Sequence, residues 1–196
     1  MLLTQNILLF TLMLPLAGSF LLLISPFQNK SLLKSIVLNF SCLTFISSLF
    51  LWVFFDKSVG TFQFVDKFLW IPILNINFPL GVDGISVFFV ILTTLLIPLC
   101  LLASWDSIQT DLKKYFMAFL IMEFFLIGVF CILDLLLFYI FFESVLIPMY
   151  LIVGVWGSRE RKIRAAYFFF SLHATRVGFN AIIYFIHLLS DRNYRL

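Results

Sequence analysis

From Tyr115 to Trp156 the chain runs for 42 residues with only three charged side chains, Glu123, Asp134 and Glu143, and no lysine or arginine. As one helix, at about 1.5 Å per residue, this stretch would measure roughly 63 Å, twice the ~30 Å hydrocarbon thickness of a bilayer. It must therefore fold back once. Asp134 stands near its centre, and aspartate is a good N-cap whose carboxylate also suits the positive end of a helix. The hairpin is expected at Leu133-Asp134.

The rest of the chain follows the same pattern. Residues are 63% hydrophobic and 12% charged, with a mean hydropathy of +1.11, far from the roughly 25% charged residues of soluble domains. Apolar runs near 5–25, 32–55, 82–104, 115–133, 135–156 and 166–190 predict an all-α polytopic transmembrane bundle of about five to six spans. The first run has no Lys or Arg before it and is too long for a signal-peptide core, and no Arg-rich transit segment is present. It is read as an uncleaved span, and a chain of this kind in an organelle is expected to have been made there.

Short loops carry the orientation signal. Lys30, Lys34, Lys113, Lys114, Arg159, Arg161, Lys162 and Arg164 fall on one side and Lys57 and Lys67 on the other. The positive-inside rule puts the first group in the matrix or cytoplasm. The long connection 56–80, with Trp70, Pro72 and Pro79, reads either as an interfacial segment against the headgroups or as a plain linker. The net charge of +3 forms no basic stripe, so nucleic acid is excluded as a partner. Cys42, Cys100 and Cys131 lie in apolar stretches without C-x-x-C spacing and read as small buried hydrophobes. His173 and His187 are unaccompanied, so no metal site is expected. No phosphate-cradling loop or activated nucleophile is visible either.

Two acids remain to be explained. Glu143 lies nine residues after Asp134, roughly 13 Å into the hydrocarbon and close to its midplane. An ionisable group at that depth is a functional candidate by default. Pro148 has no N–H and crowds the carbonyl of Ser144, so a bend with a free carbonyl is expected beside the acid, able to hold water and a proton. The alternative is a carboxyl kept neutral by burial and hydrogen-bonded to a neighbouring helix. Glu123 lies eleven residues before Asp134, roughly 16 Å away and at similar depth across the hairpin. If the two acids face one another they would share a proton; otherwise Glu123 contacts a different helix or subunit. Asp83, in Gly81-Val-Asp-Gly-Ile-Ser86, reads as the cap of the third span.

Three segments carry a family resemblance. Gly81-Val-Asp-Gly-Ile-Ser-Val-Phe-Phe-Val-Ile-Leu-Thr-Thr-Leu-Leu-Ile-Pro98, Leu133-Asp-Leu-Leu-Leu-Phe-Tyr-Ile-Phe-Phe-Glu-Ser-Val-Leu-Ile-Pro-Met-Tyr150 and Gly154-Val-Trp-Gly-Ser-Arg-Glu-Arg-Lys-Ile-Arg-Ala-Ala-Tyr167 resemble subunit 4 of mitochondrial NADH:ubiquinone oxidoreductase. The resemblance implies an antiporter-like subunit of the membrane arm of respiratory complex I, in the mitochondrial inner membrane. Such a subunit couples electron transfer to proton translocation and holds no redox centre of its own. NADH, FMN, iron–sulfur clusters and ubiquinone would belong to the wider complex, and the partners would be other membrane-arm subunits and the lipid bilayer. Glu143 matches the family's fifth-helix glutamate, and Glu123 is a further candidate for proton translocation.

The family has about fourteen helices with two inverted repeats, and this chain stops within the sixth. Residues 1–165 are read as the N-terminal transmembrane part, and 166–196 as a divergent sixth helix and tail. With permitted codons shifted by one base, the segment from Leu172 can be read Phe-Met-Leu-Leu-Gly-Ser, as the family would continue. A frame change or a split gene is therefore expected, with a separately encoded C-terminal half as a further partner. His173, Arg176 and His187 are given no functional role. The competing readings are an independent monovalent cation/proton antiporter and an inactive structural fragment.

Overall fold

The computed structural model describes residues 6–24, 29–71, 76–108, 110–157, 167, 168, 171 and 175. Five helices follow in order: α1 Ile7–Ile24, α2 Lys30–Phe54, α3 Gly84–Ala103, α4 Leu112–Cys131 and α5 Leu135–Trp156. All five are long and apolar enough to cross a membrane. Their bounds lie within a few residues of the runs read from the sequence. The sixth run, 166–190, lies outside the described residues apart from four positions.

Residues 1–148 form one compact unit and 149–196 a second. In the first unit, α1 packs on α2 and α4, α3 on α2 and α4, and α2 touches α4 across the middle. The result is a four-helix bundle of α1–α4, and the first part of α5 follows α4 across a turn. Between helices in lipid there is little hydrophobic drive, so close approach through small residues matters more. Gly18 of α1 illustrates this, because a Cβ there would come 2.9 Å from the Phe40 ring of α2.

Basic side chains tie one end of the bundle together. Lys34 donates to the Trp105 carbonyl beyond α3, sits 5.1 Å from the Trp105 ring centre and lies 3.9 Å from Asp106. Lys113 of α4 donates to the Leu23 carbonyl of α1 at 3.1 Å. Of the loops that the positive-charge count assigned to one side, those carrying Lys34 and Lys113 therefore meet at one end of the first unit, the basic end, and Arg159, Arg161, Lys162 and Arg164 lie outside the described residues.

The connection 56–80 is more than a plain linker. It contains strands β1 Gln63–Ile71 and β2 Ile76–Val82, paired antiparallel from Gln63↔Val82 to Ile71↔Ile76. Gln63 to Ile71 is rich in aromatic and β-branched residues that favour strands. Pro79 lies within β2, since a proline is tolerated in a strand where its missing N–H is not needed. Its carbonyl accepts from Leu133 N at 3.1 Å, and Leu80 bridges Ile132. Phe64 takes φ 53° where the register shifts between Gln63 and Asp66, an uncommon left-handed conformation for a bulky residue. Its side chain packs against the apolar core.

Asp83 caps α3 as expected, accepting from Ser86 N at 2.7 Å. The hydrogen bonds from the Ser86 hydroxyl and then its N–H hold this carboxyl below the ordinary aspartate range. The cysteines need one correction. Cys131 is buried, but Cys42 and Cys100 are exposed, because α2 and α3 are apolar on their outer faces too and a small apolar residue fits either side.

Prolines recur with a pattern. Pro15, Pro98 and Pro148 stand inside α1, α3 and α5 and are buried. None can donate to the carbonyl four residues back. Those positions are Thr11, Thr94 and Ser144, and each hydroxyl reaches back one turn: to Ile7 O at 2.8 Å, Val90 O at 3.0 Å and Ile140 O at 2.7 Å.

Candidate functional site

The α4–α5 hairpin turns where the charge pattern placed it. Leu137 N donates to Asp134 Oδ1 at 3.0 Å, and Phe138 N to the Asp134 carbonyl at 2.9 Å. Strand β2 holds the turn from the other side through the Leu133–Pro79 bond, and a Cβ on Gly81 would come 2.8 Å from the Leu133 side chain. Further along, a Cβ on Gly128 would overlap the Phe141 ring. Glycine at 128 therefore lets α5 seat its phenylalanine against the α4 backbone. Phe124, Phe125 and Phe78 surround that ring at centroid distances of 5.4, 5.6 and 5.8 Å, within the range of favourable aromatic pairs.

The helix bounds give the distance of each acid from the turn. Glu123 lies eight residues before Cys131 and Glu143 eight after Leu135, each about 12 Å from the turn. Their surroundings differ. Glu123 is 0% exposed, on the stripe Leu112, Phe116, Leu120, Glu123 and Ile127, all buried. Gly128, which faces α5, is five residues further on and about 140° around the helix at 100° per residue. Glu123 therefore turns into the α1–α4 bundle, away from α5. Neither of its carboxyl oxygens has a hydrogen-bond partner among the described residues. No hydrogen-bonded pair with Glu143 exists, and the two acids occupy separate places.

Glu143 is half-buried. The Tyr139 side chain, one turn earlier, hydrogen-bonds to it. Ser144 follows directly, with its hydroxyl on Ile140 O, and Pro148 withholds an N–H from the Ser144 carbonyl. Carboxylate, phenol and a carbonyl without its helical donor thus stand within two turns at mid-span. Such a group of oxygens can pass a proton and bind water.

Sequence reasoning overlooked Tyr139 and the buried hydroxyls of α2. The signal for the latter was present, since Ser41, Thr44, Ser47 and Ser48 recur at intervals of three and four, one helix face. Among the described residues no group of His, Cys, Asp and Glu is arranged to hold a metal ion.

Comparison with known proteins gives one consistent answer. A family profile described as NADH:quinone oxidoreductase/Mrp antiporter, TM matches residues 132–191, and so includes Glu143. NADH-ubiquinone oxidoreductase chain 4 of Chondrus crispus is 59% identical over 165 residues, covering 84% of this chain and 34% of that protein. The Arabidopsis thaliana protein of the same name is 58% identical over 156 residues, with 80% and 32% covered. Among solved structures, respiratory complex I from Thermus thermophilus with bound NADH contains a chain that matches with TM-score 0.66 and 27% identity, over 82% of this chain and 31% of that one. The chain spans about a third of the length of the curated relatives it matches. By sequence and fold together, the chain is similar to about a third of NADH-ubiquinone oxidoreductase chain 4 and, over residues 132–191, to the transmembrane region of the NADH:quinone oxidoreductase/Mrp antiporter family.

Proposed function

We propose that this chain serves in the membrane arm of a proton-translocating NADH:ubiquinone oxidoreductase, in the mitochondrial inner membrane, with Glu143 as its principal proton-carrying group. The observation that carries the reading is a carboxylate about 12 Å from the α4–α5 turn, hydrogen-bonded by Tyr139 and followed by the Pro148 break. When a proton arrives, the Glu143 carboxyl takes it and charge is withdrawn from the low-dielectric span. When it leaves, Tyr139 and water at the Ser144 carbonyl stabilise the carboxylate. Glu123 is a second proton-carrying group, buried apart from the first.

NADH, FMN, iron–sulfur clusters and ubiquinone would be held by other subunits, and this chain would contribute no redox centre. Because the chain covers about a third of its relatives, pumping requires the remaining part, whether it continues this polypeptide or is separately encoded. The lipid bilayer and neighbouring membrane-arm subunits would cover the apolar outer faces.

Two experiments test the reading. Glu143→Gln in the assembled complex should remove most NADH-driven proton pumping while assembly persists, and normal pumping would overturn the assignment. Purification from inner membranes should bring the chain out with a large flavin and iron–sulfur assembly. Isolation as a small oligomer would instead favour an independent cation/proton antiporter.

A further inference from the structure

The interior of the α1–α4 bundle contains a polar band that the reading of Glu143 does not use. Ser41, Thr44, Ser47 and Ser48 of α2, Thr93 and Thr94 of α3 and Glu123 of α4 are all buried. Two contacts set their heights. Ser48 Oγ lies 2.8 Å from Thr94 Oγ1, and the Phe89 ring of α3 stacks on Phe130 of α4 at 5.1 Å. The two helices are antiparallel, with Thr94 five residues beyond Phe89 and Glu123 seven before Phe130. At about 1.5 Å per residue, Glu123 and the Ser48–Thr94 pair differ in height by about 3 Å. Thr44 and Ser47 fall within the next turn toward the basic end, and Ser41 lies one turn beyond them.

Most of these hydroxyl protons are spent within their own helices. Thr44 donates to Phe40 O at 2.8 Å, Ser47 to Thr44 O at 2.8 Å and Ser48 to Phe45 O at 2.7 Å. Their oxygens keep lone pairs and can still accept. Pro98 adds another acceptor in the same band, the Thr94 carbonyl that it cannot bond. Against this stands an imbalance. Both oxygens of Glu123, and the Ser41 hydroxyl, have no hydrogen-bond partner among the described residues.

A fully buried polar group left without a partner costs free energy, more for a carboxyl than for a hydroxyl. Bound water with about 2–4 polar partners is the ordinary remedy in a polar interior. We propose that the α1–α4 bundle holds bound water at this level, linking the Glu123 carboxyl to the Ser48–Thr94 pair, and that this water makes Glu123 a proton-exchanging site of its own. The inference deepens the reading of Glu123 given above and does not depend on Glu143.

The test is a cryo-EM map of the membrane assembly that contains this chain, at a resolution that shows ordered water. Density is expected within hydrogen-bonding distance of a Glu123 oxygen and of Ser48 or Thr94. It should persist in Glu123→Gln, which keeps a polar side chain, and vanish in Glu123→Leu. A carboxyl without water, one paired with a side chain of another polypeptide, or density with the short multiple contacts of a bound cation would each overturn the proposal. Because the map does not read proton flux, a failed pumping assay and a dry site remain distinguishable.

Discussion

Helices α4 and α5 are joined by one turn, with similar length, similar apolar character and an acid eight residues from the turn in each, yet they are covered very differently. In its most apolar stretch α4 has 50% of its residues buried within the chain, and α5 has 17%. Glu123 is fully buried and its oxygens have no partner among the described residues, whereas Glu143 has a tyrosine partner and is only half-buried. The difference teaches that depth alone does not define a membrane carboxylate. What surrounds it decides whether its function can be completed within this chain or needs other protein against α5.

The largest expected effect that could break this comparison is functional. In the assembled complex Glu143→Gln should reduce NADH-driven pumping severalfold more than Glu123→Gln, measured as proton uptake per NADH in sealed vesicles. Equal losses would mean that the two acids act as one coupled unit, against the separation seen here. A structural effect comes next. Gly128→Val would drive a side chain into Phe141, and overpacking of this kind costs typically ~1–3 kcal/mol. Single-molecule unfolding from the membrane should show α5 detaching at lower force while α1–α4 unfold as before, and adding Phe141→Ala should restore part of the loss.

Smaller effects sharpen the same contrast. Asp134→Ala removes the cap that starts α5 and should cost about 1 kcal/mol, visible as a similar shift in that unfolding step. Asp83→Ala should cost a comparable or smaller amount at α3. The Asp83 carboxyl sits below its ordinary value because Ser86 bonds to it, so its stabilisation is present above the ordinary aspartate value and is lost as pH falls through the lowered one. An unfolding series with falling pH should therefore erase the difference between Asp83→Ala and the parent.

The spans and their turn were legible because they rest on length and on rare charges. Asp134 and Asp83 each act through a local capping rule, and each appears where that rule places it. The direction of Glu123 was not legible. Its helix, from Leu112 to Cys131, is apolar all round apart from this acid and Lys113 and Lys114 near its start, so a period of 3.6 offers no contrast between the face toward α1–α3 and the face toward α5. The β1–β2 hairpin was lost for a different reason. Trp70, Pro72 and Pro79 pointed only to an interfacial segment or a linker, while the contact that anchors β2, the Leu133 N–H on the Pro79 carbonyl, is separated by 54 positions and lies outside any local window.

The three prolines have a mechanical consequence. Helices α1, α3 and α5 each have one missing rung near the middle, and α2 and α4 are uninterrupted. Uninterrupted helices resist bending, and a helix missing an internal hydrogen bond flexes there first. The bundle is thus built of stiff struts alternating with jointed ones, and a push along the membrane would be taken up at the level of Thr11, Thr94 and Ser144.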